Sequence, residues 1–401
     1  MRSRRRTAKK HNFLSSLTST PKRKWIVADC YLAAALFSIS MIVILNLYHP
    51  TLSKSHKLLL STYQTRIPTV QFDHPISKLI YLSYLNPVSG KFFKGNDDIY
   101  FIGFWVLFWM CLREILMNYL WKPVGKAFKI RDKNKLQRFA EQGWMLAYCS
   151  VFWCMGLSIL SRFPDPILSL NIRQYWQGYP HESLPALTKF YYLSQTAFWF
   201  QQLITLHIEK RRKDHYQMLL HHVLTITLIC GSYATNFTGL GTAVHSTMDL
   251  SDILLSSAKM LNYIEAGIFC DSTFALFVLS WIYTRHYVYM KIVYSILYEA
   301  PEDIPFLWDP SQGHLTSRTM WIGFLMLLIL LQFILIMWFF MIMKIVLRFA
   351  KGKEARDERS DTEDSDEIEN NDELPVAENL ILCERESIEV SKTDHQWDRK
   401  S

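Results

Sequence analysis

The chain has 401 residues, half of them apolar, a formal net charge of +8 and a mean hydropathy near zero. The two averages reconcile if apolar spans carry the middle and charged tails dilute the mean. The basic excess has no aromatic–basic platform beside it outside the apolar segments, which argues against a nucleic-acid partner. The seven cysteines contain no CxxC pair, which argues against a disulfide framework or zinc module.

In chain order, residues 1–24 form a basic tail with Arg2, Arg4, Arg5, Arg6, Lys9, Lys10, Lys22, Arg23 and Lys24. The apolar run at 25–47 is too long for a signal peptide and lacks a small-residue cleavage site. Residues 48–97 read as a long lumenal connection rich in Pro, Ser and Tyr. Further spans of the roughly 20 residues that cross about 30 Å of hydrocarbon are predicted at 98–120, 139–160, 184–207, 217–236, 240–262, 266–286 and 319–347. The fourth and sixth are polar for helices that face lipid. Residues 351–401 form an acidic tail, expected to be disordered by self-repulsion, with Ser360, Thr362 and Ser365 set among the acids as possible kinase targets.

Basic residues set the orientation. They crowd the N-terminus, the connections 121–138 and 208–216, and the end of the last span, which puts both termini in the cytosol. The expected fold class is all-α: a polytopic integral membrane protein of about eight transmembrane helices, forming a bundle or barrel around an intramembrane cavity. Residues 25–97 supply the first span and its connection, and 98–350 the main helical domain.

Ionisable groups inside these spans are the strongest pointer to chemistry, because a charge at the bilayer centre costs about 2.5–3.5 kcal/mol on insertion scales. His221 and His222 lie in the fifth span, Asp249 and Asp252 in the sixth. His245, Asp249, Asp252, Ser256 and Lys259 follow steps of 4, 3, 4 and 3, which draws one polar stripe along a helix. His221, His222, Thr225, Ser232 and Asn236 lie roughly on one side of the fifth span, and Gln195, Trp199 and Gln202 on one side of the fourth. Thr225, Gln195, Gln202 and Ser256 can be explained as hydrogen-bonding glue between helices. A histidine with two aspartates is costlier than glue needs to be.

An imidazole supported by carboxylate is a poised general base, and it can also act as a nucleophile toward an activated acyl group. His222 is the expected base or acyl acceptor, with His221 assisting and Asp249 and Asp252 orienting and supporting it. A metal site is the rival reading. Membrane di-iron hydroxylases use several HxxHH or HxxxH boxes, whereas His215, His221 and His222 here form no HxxHH, so no metal ligand is assigned.

The run RRKDHYQMLLHHVLTITLICGSYATNFTGLGTAVHSTMDLSDILLSSAKMLNY, residues 211–263, resembles the Lag motif of the ceramide synthases, within the TLC superfamily. The shared elements are the RKD…HH opening, the paired histidines, the SY…N…G middle, D-x-x-D and the closing AK-x-x-NY. Less sharply, the similarity runs from about residue 100, through LREILM at 112–117, to about 350; the basic start and acidic end look like the fungal branch. The resemblance implies transfer of an acyl group, of very long chain in fungal relatives, from acyl-CoA to a sphingoid base at the endoplasmic reticulum membrane. It assigns acyl-CoA as co-substrate with no bound cofactor, and catalysis to His221, His222, Asp249 and Asp252. The animal enzymes usually carry a histidine directly before the first aspartate; Met248 stands there in this chain.

CoA phosphates could rest on Lys210, Arg211, Arg212 and Lys213, a loop that the positive-inside rule also explains. In relatives, the region corresponding to 287–318 influences acyl length. A small single-pass subunit and assembly with like chains or a paralogue are also implied. A TLC-type lipid-binding or trafficking factor without chemistry, a metal-dependent lipid hydroxylase and a transporter remain as alternatives, the last without a visible inverted repeat.

Overall fold

A computed structural model describes residues 75–165, 170–209, 214–309 and 314–350. The basic N-terminal tail, the first expected span, the loop Lys210–Lys213 and the acidic tail with Ser360, Thr362 and Ser365 lie outside the described residues. Internal contacts group residues 1–209 and 219–336 in one unit, 210–218 and 337–401 in another. The site described below lies wholly in the first.

The described chain is mostly helical. A short α1 (Pro75–Ile80) leads into α2 (Asp98–Ile115), where the Asp98 carboxylate accepts the Gly95 N–H at 3.1 Å. A π-helical turn (Leu116–Trp121) and α3 (Lys122–Ala127) prolong α2, so helix fills much of what the basic residues suggested was a cytosolic loop. Lys129 then turns the chain in left-handed conformation, and Asp132 caps α4 (Lys133–Leu160) by accepting from the N–H groups of Asn134 at 2.6 Å and Lys135 at 2.9 Å. After a 3₁₀ turn (Ile172–Tyr175) come α5 (Ala186–Ile208), α6 (His215–Ala234) and α7 (Thr238–Tyr263).

The break between α6 and α7 is local chemistry. Asn236 takes a left-handed φ of 69° and the N–H of Phe237 reaches back to the Ser232 carbonyl at 2.9 Å, a helix-ending arrangement that asparagine tolerates better than most residues.

Next is α8 (Ile268–Trp281), which runs without interruption through a second π-helical stretch (Ile282–Val288) into α9 (Tyr289–Tyr298). At 1.5 Å per residue this run is about 46 Å long, well beyond a hydrocarbon core. The expected connection at 287–318 is therefore helical over its first third. The rest comprises α10 (Ala300–Asp303) and a ribbon of β1 (Trp308–Asp309) against β2 (His314–Leu315), antiparallel with Trp308 opposite Leu315 and Asp309 opposite His314. That ribbon and the bridges from Phe92 to Leu85 and Leu184 are the β pairing among the described residues. The last helix is α11 (Arg318–Ala350).

Three segments are long and apolar enough by themselves to cross a membrane: Asp98–Ala127, Lys133–Leu160 and Arg318–Arg348. Packing accounts for the polar character of α5 and α7. Nearly every residue of α5 from Tyr191 to Phe198 is buried by protein, and α7 buries Thr242, Ala243, Ser246, Thr247, Asp249 and Ser251. Helices enclosed by other helices need no lipid-compatible surface, so their hydropathy falls while their burial rises.

Small residues bring α7 close to its neighbours. A Cβ added at Gly156 of α4 would meet Ser246 Oγ at 2.1 Å. The core between α2, α4 and α5 is aromatic, with Trp109, Trp144, Tyr148, Phe152, Tyr191, Tyr192 and Phe198 buried together.

A polar knot fastens the start of α2 to α5 and to the end of α6. Asp98 takes an ion pair from buried Lys189 at 2.7 Å and a hydrogen bond from the Tyr233 hydroxyl at 2.7 Å. Lys94 donates to the Tyr233 carbonyl at 2.6 Å and to Asn236 Oδ1 at 2.5 Å. Burial, and then the neighbouring charge of Lys189, push the Lys94 ammonium down from the ordinary lysine range to about 7.

Candidate active site

Three helices supply the site. Trp199 of α5 stands between the histidines of the other two: its ring centroid lies 5.5 Å from His221, 5.5 Å from His222 and 6.5 Å from His245. The paired imidazoles sit 5.7 Å apart with their planes at 84°, and the 100° step between adjacent helical residues sends them in different directions. His222 is buried, and His221 and His245 are half-buried. The indole therefore gathers three imidazoles around it, including His245 of the predicted stripe.

The predicted stripe on α7 is present as a graded face. Asp249 and Ser256 are buried, whereas His245, Asp252 and Lys259 are half-buried. The Asp249 Oδ2 has no hydrogen-bond partner among the described residues. Asp252 takes an ion pair to Arg285 at 2.5 Å, through Oδ1. Arg285 comes from the π-helical stretch after α8, and its guanidinium carbon stacks 4.1 Å from the Trp281 ring centroid. Gln195 and Gln202, at matching spacing on α5, are used as ties between helices: Gln195 accepts from the Tyr148 hydroxyl at 2.7 Å, and Gln202 donates to the Met145 sulfur at 3.4 Å.

His245 also lines an apolar cavity that is open in part to its surroundings. Leu228 and Ile229 of α6, Leu240 and Val244 of α7, and Met320, Phe324 and Leu328 of α11 form its walls. Ala300, Ile304, Phe306 and Thr316 also line it. His245 thus belongs both to the histidine layer around Trp199 and to the wall of the apolar cavity. Among the described residues, no group of three or more His, Cys, Asp or Glu side chains converges as a metal shell would.

A family profile described as TLC domain matches residues 138–344. The sphingosine N-acyltransferase lag1 of Schizosaccharomyces pombe is 40% identical over 289 residues, covering 72% of this chain and 73% of its own. The ceramide synthase LAG1 of Saccharomyces cerevisiae is 33% identical over 305 residues, covering 75% and 72%. This chain belongs to the ceramide synthase branch of the TLC-domain family. Human ceramide synthase 5 matches more distantly, 32% identical over 244 residues, covering 60% of this chain and 59% of its own.

Within this TLC-domain protein, sequence reasoning missed Arg285 and underrated Trp199. Arg285 had a signal, since an arginine inside an apolar run calls for a carboxylate partner. Its partner stands 33 residues earlier on another helix, and only the fold brings the two together.

Proposed function

We propose that the chain is a sphingosine N-acyltransferase that moves a fatty acyl group, of very long chain, from acyl-CoA to the amine of a sphingoid base. Identity to curated enzymes of that name over nearly three quarters of both chains carries this reading. The histidine–aspartate layer beside an apolar cavity supports it chemically.

His222 acts as the catalytic base or as the acyl acceptor, and His221 assists. In direct transfer, His222 takes a proton from the sphingoid ammonium and frees the lone pair that attacks the thioester carbonyl. The first proton passes on to solvent, the C–N bond forms, His222 takes the second proton from the adduct's nitrogen, the oxyanion collapses, the C–S bond breaks, and CoA leaves as its thiol with the proton His222 then holds. In the covalent route, the imidazole first carries the acyl group and CoA leaves before the amine arrives. Asp249 and Asp252 supply the negative field that stabilises an imidazolium or ammonium in the layer.

The apolar cavity beside His245 takes a hydrocarbon tail, and Ala300, Ile304, Phe306 and Thr316 in its lining limit the tail's length. Lys210, Arg211, Arg212 and Lys213 receive the CoA phosphates on the cytosolic side. The helices form an eight-span bundle in the endoplasmic reticulum membrane, with both termini cytosolic and Lys210–Lys213 between the fourth and fifth spans. A small single-pass subunit and a second copy or paralogue complete the assembly.

The deciding assay is amide formation by the purified chain supplied with dihydrosphingosine and acyl-CoA of several lengths. Ceramide should form, and His222→Ala should lower its rate by about 10²–10⁴-fold, the usual contribution of a positioned base. A folded His222→Ala protein with full activity would remove His222 from the chemistry. Lipid binding without any product would shift the reading to a non-catalytic TLC-type factor.

A further inference from the structure

Arg285 is a costly residue in its position, and its surroundings show what it does. The π-helical stretch Ile282–Val288 widens the helix where it crosses α7, a feature that often accompanies functional sites. Two buried polar side chains of this stretch meet α7 there. Thr284 Oγ1 lies 2.8 Å from Ser251 Oγ, and Arg285 Nη2 donates to both Asp252 Oδ1 and the Met248 carbonyl, the latter at 3.2 Å.

Trp281 covers one face of the guanidinium, and Arg285 is only 4% exposed. The Asp252 side chain keeps 35% of its surface open. One carboxylate oxygen is therefore held from the protein side while the rest of the group looks outward.

The open acceptors lead to a ligand. Arg285 engages Asp252 at Oδ1, and the buried Asp249 Oδ2 has no hydrogen-bond partner among the described residues, so this low-dielectric layer holds acceptors that a cationic donor would meet, where an unmet polar group is costly. Lys259, farther along α7, the imidazoles of His221, His222, His245 and His286, and the side chains of Tyr148, Cys149 and Tyr191 are the other titratable groups on the packed helices around this layer. A sphingoid base brings one ammonium on a long tail, the complement in both charge and shape.

We infer that Arg285 is a positioning residue: it clamps Asp252 through Oδ1 and turns that carboxylate's open side to the ammonium of the sphingoid base. Asp252 thereby receives and orients the amine, and His222 is left to take its proton. This rests on the acyltransferase reading and adds to it the group that recognises the amine. A phosphate-binding role for Arg285 fits poorly, because the buried guanidinium is already committed to Asp252 and Met248.

The test uses the full-length purified chain as wild type, Arg285→Lys, Arg285→Gln, Asp252→Asn and Arg285→Gln/Asp252→Asn. KM is measured separately for dihydrosphingosine and for acyl-CoA. Removing one partner of a buried charge pair is expected to raise KM for the base by at least about tenfold in Arg285→Gln, with KM for acyl-CoA within about twofold of wild type. Arg285→Lys should recover part of the loss, and the double variant should be no worse than Asp252→Asn alone. An unchanged KM for the base, or equal losses for both substrates with no recovery in Arg285→Lys, would overturn the assignment.

A second readout does not depend on turnover. Dihydrosphingosine should raise the melting temperature of the wild type more than uncharged N-acetyl-dihydrosphingosine does, and Arg285→Gln should abolish the difference. Its persistence in Arg285→Gln would refute the clamp. A wild type that makes no ceramide yet shows this ammonium-selective, Arg285-dependent stabilisation would keep the clamp and reject the acyltransferase reading.

Discussion

Gly241→Ala tests how the cavity wall is built. Gly241 lies in the first turns of α7 and lines the cavity. A Cβ there would stand 1.9 Å from the Tyr192 hydroxyl oxygen, 3.0 Å from Ser232 Oγ and 3.1 Å from Tyr192 Cζ. Tyr192 cannot easily yield: it is fully buried, and its hydroxyl donates to the Thr238 carbonyl at 2.9 Å.

Reaching ordinary contact would require α5 and α7 to part by more than an ångström, in an interior as dense as an organic crystal. Overpacking of this kind costs about 1–3 kcal/mol. The melting temperature should therefore fall by several degrees, at roughly 2–4 °C per kcal/mol for a mid-sized domain.

The assay is thermal unfolding of Gly241→Ala, Tyr192→Phe and the double variant in one detergent at one scan rate, since membrane proteins often unfold irreversibly. Tyr192→Phe alone loses one hydrogen bond, worth about 0.5–1.5 kcal/mol. It also removes the clashing oxygen and leaves Cζ at 3.1 Å, a contact that a shift of a few tenths of an ångström relieves. The double variant should thus melt above Gly241→Ala. A Gly241→Ala protein as stable as wild type, or a double variant with fully additive losses, would refute the close approach of α5 and α7.

Lys94 carries a pH signature. Its folded ammonium gives up its proton near pH 7, whereas an unfolded lysine holds one to about pH 10.4. Between those values the unfolded chain binds the extra proton, so stability rises with pH. Melting temperatures from pH 7 to 9.5 should climb more steeply for wild type than for Lys94→Met, and parallel curves would contradict the buried lysine. Asn236 begins the sequon Asn236-Phe237-Thr238, but it is 5% exposed and Lys94 holds its amide oxygen. No glycan should attach, so endoglycosidase treatment and Asn236→Gln should both leave gel mobility unchanged. A faster band after the enzyme would refute this.

Much of this protein could be read from the order of its residues. Each of the seven segments expected as spans after residue 97 is helical, in α2 and α4 to α9 with α11, and three segments of the described chain are by themselves long and apolar enough to cross a membrane, because hydropathy and helical periodicity are local properties. Family membership was legible in the Lag-like run 211–263, and the stripe from His245 to Lys259 follows from the 3.6-residue turn alone.

Other features needed the tertiary structure. Whether α5 and α7 face lipid or protein depends on what packs around them, and no window of hydropathy contains that information. The continuation of α8 through a π-helical stretch into α9 overrode the expected chain break at 286. That same stretch carries Arg285 to Asp252, while Trp199 gathers histidines from two other helices. Sequence determined which groups are costly in hydrocarbon. The fold alone decided how they pair, because compensation of a buried charge depends on distance in space, and these partners lie far apart along the chain.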